Sequence, residues 1–237
     1  MKLGPSLISE FIGTFALCFV GGGAICLTAL PDGPAIGLLG VAAAHGLILA
    51  VCVSAVMHIS GAHFNPAVTI AILATGRIKG GPALFYIIAQ LLGGVVAGFL
   101  LAYVFAVDAT GGVDVVSAVK LGTPSVAAGV SMSKAIVIEA VMTFLLVFVI
   151  FGTAVDPRAP KIGGFGIGLV VAADIMMAGP LTGASMNPAR TIGTGLPAFL
   201  NGFEGFWAEQ PIYWIGPVVG GLLAALIYHH FLMGRDS

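Results

Sequence analysis

Charge is scarce in this chain: Asp, Glu, Lys and Arg make up 8% of its 237 residues, against about 25% in an ordinary soluble domain. With 59% hydrophobic residues and a mean hydropathy of +1.11, the composition is that of an integral membrane protein. The formal net charge is −1 and no basic stripe is present to neutralise phosphates, so nucleic acid is not expected as a partner. Cysteine is also rare. Cys18, Cys26 and Cys52 lie in apolar runs without metal-ligand spacing and read as small buried hydrophobes, so neither a metal nor another cofactor is expected. No nucleophile and base constellation stands out, which argues against an enzyme. A signal peptide is not expected either, because the apolar sequence after Met1-Lys2-Leu3-Gly4-Pro5-Ser6 is too long for one and lacks a cleavage region.

What the chain has instead is long apolar runs. A helix needs about 20 such residues to cross a bilayer, and six segments qualify: 7–29, 37–59, 82–106, 132–154, 161–180 and 209–233. Between them stands one tripeptide twice, Asn65-Pro66-Ala67 and Asn187-Pro188-Ala189, preceded by Ser60-Gly61-Ala62 and Thr182-Gly183-Ala184. Asn is a good N-cap and Pro suits the first helical residue, so each tripeptide predicts a helix start. The stretches 65–75 and 187–198 are too short to span and read as re-entrant half-helices. A helix beginning at membrane depth exposes N–H groups that lipid cannot satisfy but a water-lined or protein-lined cavity can. Two such starts point to a pore.

The two parts of the chain echo each other. Glu10 with Thr14-Phe15 recurs as Glu139 with Thr143-Phe144 (139 − 10 = 129), Tyr86 with Gly93-Gly94 as Tyr213 with Gly220-Gly221 (213 − 86 = 127), and Asn65 as Asn187 (187 − 65 = 122). Three spans per copy reverse the orientation of the second, which makes an inverted repeat, about 7–106 and 132–233, within one channel domain of residues 1–237. The expected fold is therefore an all-α integral membrane protein with six transmembrane helices and two re-entrant half-helices. With the N-terminus inside, Lys2, Arg77, Lys79, Arg158, Lys161 and Arg235 are cytoplasmic and Lys120 and Lys134 exterior, as the positive-inside rule requires. Gly94 with Gly98 and Gly164 with Gly168 have the spacing of closely crossing helices.

The paired Asn-Pro-Ala, Arg190 after the second, the Glu10 and Glu139 repeat and Tyr213-Trp214-Ile215-Gly216-Pro217 resemble the aquaporin (major intrinsic protein) family over nearly the whole chain. The resemblance implies a passive water channel that excludes protons and ions, in a lipid bilayer, as a homotetramer with one pore per subunit. It places Asn65 and Asn187 at the pore midplane, with Pro66, Ala67, Pro188 and Ala189, and a selectivity filter at His45, Ile175, Ala184 and Arg190. That combination looks like the plant vacuolar aquaporins, whose filter is often wider than that of strict water channels. Thr191, Gly195 and the Tyr213-Trp214 pair depart from the glycerol-conducting branch. Ala184 stands where mercury-sensitive relatives carry Cys, so no mercury block is expected there.

An isolated cation in apolar sequence is costly, which by itself marks Arg190 as functional. His45 reads as a filter residue or a core histidine, and His58 and His63 as structural. Glu10 and Glu139 read as buried acids supporting half-helix or loop backbone. Asp174 either orients Arg190 or a loop, or sits near the outer water interface. Broader conduction of glycerol, urea or ammonia is the alternative function, and a secondary transporter a distant one. The expected location is the cell membrane with both termini cytoplasmic, an intracellular membrane being the alternative.

Overall fold

The computed structural model describes residues 2–233, so Arg235 lies outside the described residues. The chain forms α1 (Leu3–Leu27), α2 (Gly37–Ser60), α3 (Pro66–Ala74), α4 (Gly80–Val104), α5 (Val115–Val119), α6 (Met132–Ile150), α7 (Phe165–Thr182), α8 (Pro188–Leu200) and α9 (Phe206–Ile227). Short π turns extend α6 through Phe151–Val155 and α9 through Tyr228–Leu232. Among the described residues six helices, α1, α2, α4, α6, α7 and α9, are long and apolar enough to span a membrane. They pack chiefly as α1 on α4, α6 on α9, α2 on α7 and α1 on α2, and α4 closes against the half-helix α8.

The ends of the spans differ from the sequence reading by up to about one turn. Helix α1 begins at Leu3 because Pro5 is tolerated in a first turn, where its missing N–H has no partner to lose. Helix α4 likewise absorbs Gly80, Gly81 and Pro82 into its first turn. Helix α7 starts only at Phe165, after Gly163 at φ +60°, and runs through Pro180 to Thr182. The segment 106–131 lies between the third and fourth spans of the sequence. It contains α5, capped by Asp114, whose Oδ1 accepts from Ser117 N at 3.1 Å and Oδ2 from the Ser117 hydroxyl at 2.6 Å. Leu121 then enters an apolar cluster with Cys26, Leu101 and Ala198.

Close approach depends on missing side chains. A Cβ on Gly94 would come within 2.6 Å of the Ala189 carbonyl oxygen, and one on Gly98 would overlap the Gly193 carbonyl, so these two glycines let α4 lie directly on α8. Gly168 plays the same part between α7 and α2. Cys18 and Cys26 are fully buried while Cys52 is half-buried.

Candidate functional site

Each half-helix starts as its sequence dictates. Asn65 accepts from Ala67 N at 2.9 Å through Oδ1, and Asn187 accepts from Ala189 N at 2.9 Å and Arg190 N at 3.3 Å, with Pro at the first helical position in both. The amide nitrogens then cross between the two loops. Asn65 Nδ2 donates to the Met186 carbonyl at 2.7 Å, and Asn187 Nδ2 donates to the Phe64 carbonyl at 2.8 Å. Each amide has two N–H groups, so one remains for the lumen. This reciprocal brace was not foreseen from the sequence, although the loop carbonyls opposite two buried amides are the natural acceptors.

Both loops are held in an uncommon backbone shape. Ala62 (φ 51°), Phe64 (φ 50°), Ala184 (φ 43°) and Met186 (φ 54°) are left-handed although none is glycine. Alternating left-handed residues turn successive N–H groups to one side and make a nest for an anion. Glu10 fills the first nest: Oε1 accepts from His63 N at 3.0 Å and the Ser60 hydroxyl at 2.8 Å, and Oε2 accepts from Phe64 N at 2.7 Å and Gln90 Nε2 at 2.7 Å. Glu139 fills the second, accepting from Ser185 N at 3.0 Å, the Thr182 hydroxyl at 2.7 Å and Met186 N at 2.7 Å. Strained residues of this kind cost on the order of 1–3 kcal/mol each and persist only where the surroundings fix them. The two carboxylates supply that fixing. Tyr86 and Tyr213 add a hydroxyl donor each, to the Ser60 carbonyl at 2.9 Å and the Thr182 carbonyl at 2.7 Å.

Between the loops runs a narrow lumen with a free volume of about 30 Å³, space for no more than a few waters. It brings together Asn65, Asn187, His45, Ile175, Ala184 and Arg190. Pro66, Ala67, Pro188 and Ala189 are buried behind it as the first turns of α3 and α8. One mouth, marked by Arg190 and Ile175, opens into a vestibule of about 400 Å³ that Lys120 and Thr123 also line. The opposite mouth, at Val68, Ala62 and Ile167, opens into a vestibule of about 280 Å³ that Arg77 lines. His63 lines this passage too, with Nδ1 3.1 Å from the Thr69 hydroxyl and its ring edge-on to Tyr86. His58 is exposed.

At the Arg190 mouth the guanidinium is bound to His45. Nδ1 of His45 lies 2.8 Å from the Val41 carbonyl, which can only accept, so the proton is on Nδ1 and the Nε2 lone pair faces Arg190. Arg190 donates to that nitrogen from Nε at 3.2 Å and Nη2 at 3.0 Å, and from Nη1 to the Gly183 carbonyl at 3.4 Å. Three of the five guanidinium N–H groups are thus engaged and two remain for the lumen. Asp174 takes no part. It is 3% exposed, its Oδ2 has no hydrogen-bond partner, and the bonds of Arg190 go elsewhere, which removes the reading of Asp174 as the residue orienting Arg190. Among the described residues no cluster of His, Cys, Asp or Glu is arranged to hold a metal.

Residues 2–228 match the Major intrinsic protein family. The chain is 42% identical to aquaporin TIP4-4 of Zea mays, covering 98% of this chain and 88% of that protein. It is also 42% identical to aquaporin TIP2-1 of Arabidopsis thaliana, covering 97% and 88%. Among solved structures, that of the aquaglyceroporin from Plasmodium falciparum superposes with a TM-score of 0.81 over 98% of this chain and 97% of the other, at 23% identity, which speaks for the fold alone. With six spanning helices, two half-helices meeting on a common lumen and this match over nearly its full length, the chain belongs to the major intrinsic protein family: it is a multi-pass membrane channel of the aquaporin type and not an enzyme.

Proposed function

We propose that this channel conducts water in single file through the lumen between Asn65 and Asn187, and that His45, Ile175, Ala184 and Arg190 form its selectivity filter. The observation that carries the reading is the lumen itself, about 30 Å³ and lined by all six of these residues. At its centre two half-helix N-termini face each other, each equivalent to about half a positive charge, and each Asn keeps one N–H for a passing water. A water that turns its oxygen toward both amides cannot accept a proton from its neighbour in the file, so proton transfer along the file stops there. Pro66, Ala67, Pro188 and Ala189 support this arrangement by fixing the helix starts, and Glu10 and Glu139 support it by holding the loops.

Arg190 sets the second barrier. At 4 Å and an effective dielectric near 20 its repulsion of a monovalent cation is about 4 kcal/mol, or roughly three decades in occupancy. Neutral solutes are not opposed in this way, and the apolar wall of Ile175 and Ala184 binds water weakly enough to release it quickly. The subunit works in a lipid bilayer, as a homotetramer in which each subunit keeps its own lumen. Lys2, Arg77, Lys79, Arg158 and Lys161 belong to the face that also carries the start of α1 and the end of α9, so both termini are read as cytoplasmic in the cell membrane, with an intracellular membrane as the alternative.

The test is stopped-flow light scattering on liposomes holding the purified protein. Rapid volume change under an impermeant osmolyte, with no matching entry of glycerol or urea, is expected. Substantial glycerol or urea entry would establish the broader neutral-solute reading, and no flow above empty vesicles would overturn both.

A further inference from the structure

We propose that Gly21 is a specificity-determining residue: the lack of a side chain there seats the imidazole of His45 beside Arg190 and thereby sets the aperture of the Arg190 mouth. The inference rests on the reading of that mouth as the selectivity filter. Gly21 is buried on α1, facing α2. A Cβ at this position would overlap His45 Cδ2 and Nε2 and lie 2.8 Å from Cε1, so it would occupy the edge of the ring that carries the acceptor for Arg190.

The ring cannot give way cheaply, because it is held on both edges. Nδ1 is fixed by the Val41 carbonyl at 2.8 Å, and Nε2 by Arg190 Nε and Nη2 at 3.2 and 3.0 Å. Any rotation that clears a methyl group at 21 breaks bonds on at least one side. The neighbouring glycines lack this property. A Cβ on Gly22 would meet Leu101 Cδ1, a terminal methyl that can turn away, and one on Gly23 would make ordinary contact at 3.5 Å.

The other end of the lumen gives independent support. The residue of α6 at the spacing that relates Glu10 to Glu139 is Ile150 (21 + 129 = 150), and it lines the lumen together with Ile167, which stands 122 residues after His45. Where no imidazole has to be seated, a branched side chain is accommodated. The glycine therefore belongs with the histidine and not with the helix crossing as such.

With alanine at 21 the ring leaves Nε2 out of reach of Arg190, the guanidinium keeps only the Gly183 carbonyl, and its freed donors turn to the solute path. The experiment compares wild type, Gly21→Ala, His45→Ala and the double variant in liposomes, reading the ratio of urea to water permeability. The expected result is a shift of at least about fivefold in Gly21→Ala, the consequence of two lost hydrogen bonds, which disappears in the His45→Ala background where no ring remains to be displaced. An unchanged ratio in Gly21→Ala overturns the proposal, as does an equal shift in both backgrounds. Should Gly21→Ala fail to fold, recovery of a folded channel in the double variant supports the proposal and its failure overturns it. If wild type itself conducts no water, the filter reading fails separately, and coupling of the two substitutions in thermal denaturation still decides whether Gly21 seats the ring.

Discussion

At the Arg190 mouth the lumen is walled by His45, Ile175, Ala184 and Arg190, and toward the Arg77 mouth by Ile167, Val53, Ala62 and Val68. The two sets are related residue by residue, since 167 − 45, 175 − 53, 184 − 62 and 190 − 68 all have magnitude 122. On both sides a helix contributes lumen-facing residues at every fourth position, His45, Leu49 and Val53 from α2 and Ile167, Val171 and Ile175 from α7. On both sides a nested carboxylate shapes the loop that follows. Two positions differ in kind: an imidazole and a guanidinium at one mouth stand against Ile167 and Val68 at the other. A scaffold used twice supplies the shape of both mouths, and a polar pair used once sets the proposed filter apart from its apolar counterpart.

The largest effect is expected from placing a cation in the apolar mouth. Val68 is 2% exposed, and Val68→Arg buries a charge without the imidazole that serves Arg190, at a cost of about 3–5 kcal/mol. The expected outcome is loss of folded protein or a much lower thermal midpoint in detergent. Adding Ile167→His and Ile150→Gly completes the set found at the other mouth and is expected to restore part of the loss. A midpoint unchanged by Val68→Arg alone would mean that the two mouths are less alike than their residues imply.

Making the mouths alike in the other direction tests selectivity. Arg190→Val is expected to leave water flow within about threefold of wild type, because the midplane amides are untouched, while urea and glycerol entry rise at least about tenfold. Loss of the guanidinium charge is expected to lower cation exclusion at this mouth by as much as roughly three decades. Solute and sodium flux into liposomes read both effects. Unchanged discrimination would move the filter away from Arg190.

Much of this plan was legible in the sequence and some was not, for identifiable reasons. The Asn-Pro-Ala pair gave the half-helices because capping is local chemistry, and the six spans were set by apolar length. The residues Ile167, Val53, Ala62 and Val68 follow from the same offset of 122 that relates Asn65 to Asn187, so the second mouth could have been written down without a structure. The crossed amide bonds to Phe64 and Met186 could not, because they need the two loops in register across the lumen. Asp174 resisted for a similar reason. Its neighbour Ile175 lines the lumen, but one step along a helix rotates a side chain by about 100°, and Asp174 is turned into the protein instead.

A finer difference separates the two carboxylates. Glu10 has Gln90 as a fourth donor, while the corresponding position beside Glu139 is Pro217 (217 − 90 = 127, the spacing of Tyr86 and Tyr213). Replacing either Glu by Gln turns one acceptor into a donor that faces buried N–H groups, so both variants lose stability. In Glu10→Gln, however, Gln90 can rotate its amide and offer Oε1, which has no partner in the wild type. Glu10→Gln is therefore expected to be milder than Glu139→Gln by about 1 kcal/mol, the net worth of one hydrogen bond. Equal losses of thermal stability would show that Gln90 does not adapt.

The smallest effect belongs to the Arg77 mouth, whose cations lie outside the lumen and fasten the end of α9 instead. Arg77 donates from Nη2 to Met233 Sδ at 2.8 Å and lies over the Phe151 ring, while Arg158 reaches the Leu232 carbonyl at 2.8 Å and pairs with Asp156 through Nη2 at 2.6 Å and Nε at 2.9 Å. Hydrogen bonds from the Arg158 side chain, then from its backbone N–H, hold the Asp156 carboxyl down at about 2 from an ordinary value of 3.8. A carboxyl lowered on folding stabilises the folded state above its unfolded value, and that stabilisation is lost as pH falls through the folded value. The difference in thermal midpoint between wild type and Asp156→Asn should therefore be constant above about pH 4 and shrink toward zero by about pH 2. It should also be small at any pH, because the Arg158 side chain is 59% exposed and water screens the pair. Arg190 has no such screen, being 4% exposed, so a substitution at His45 should change stability at neutral pH far more than one at Asp156. The reverse order would show that the fastening of α9, and not the polar pair in the lumen, is the costlier feature to lose.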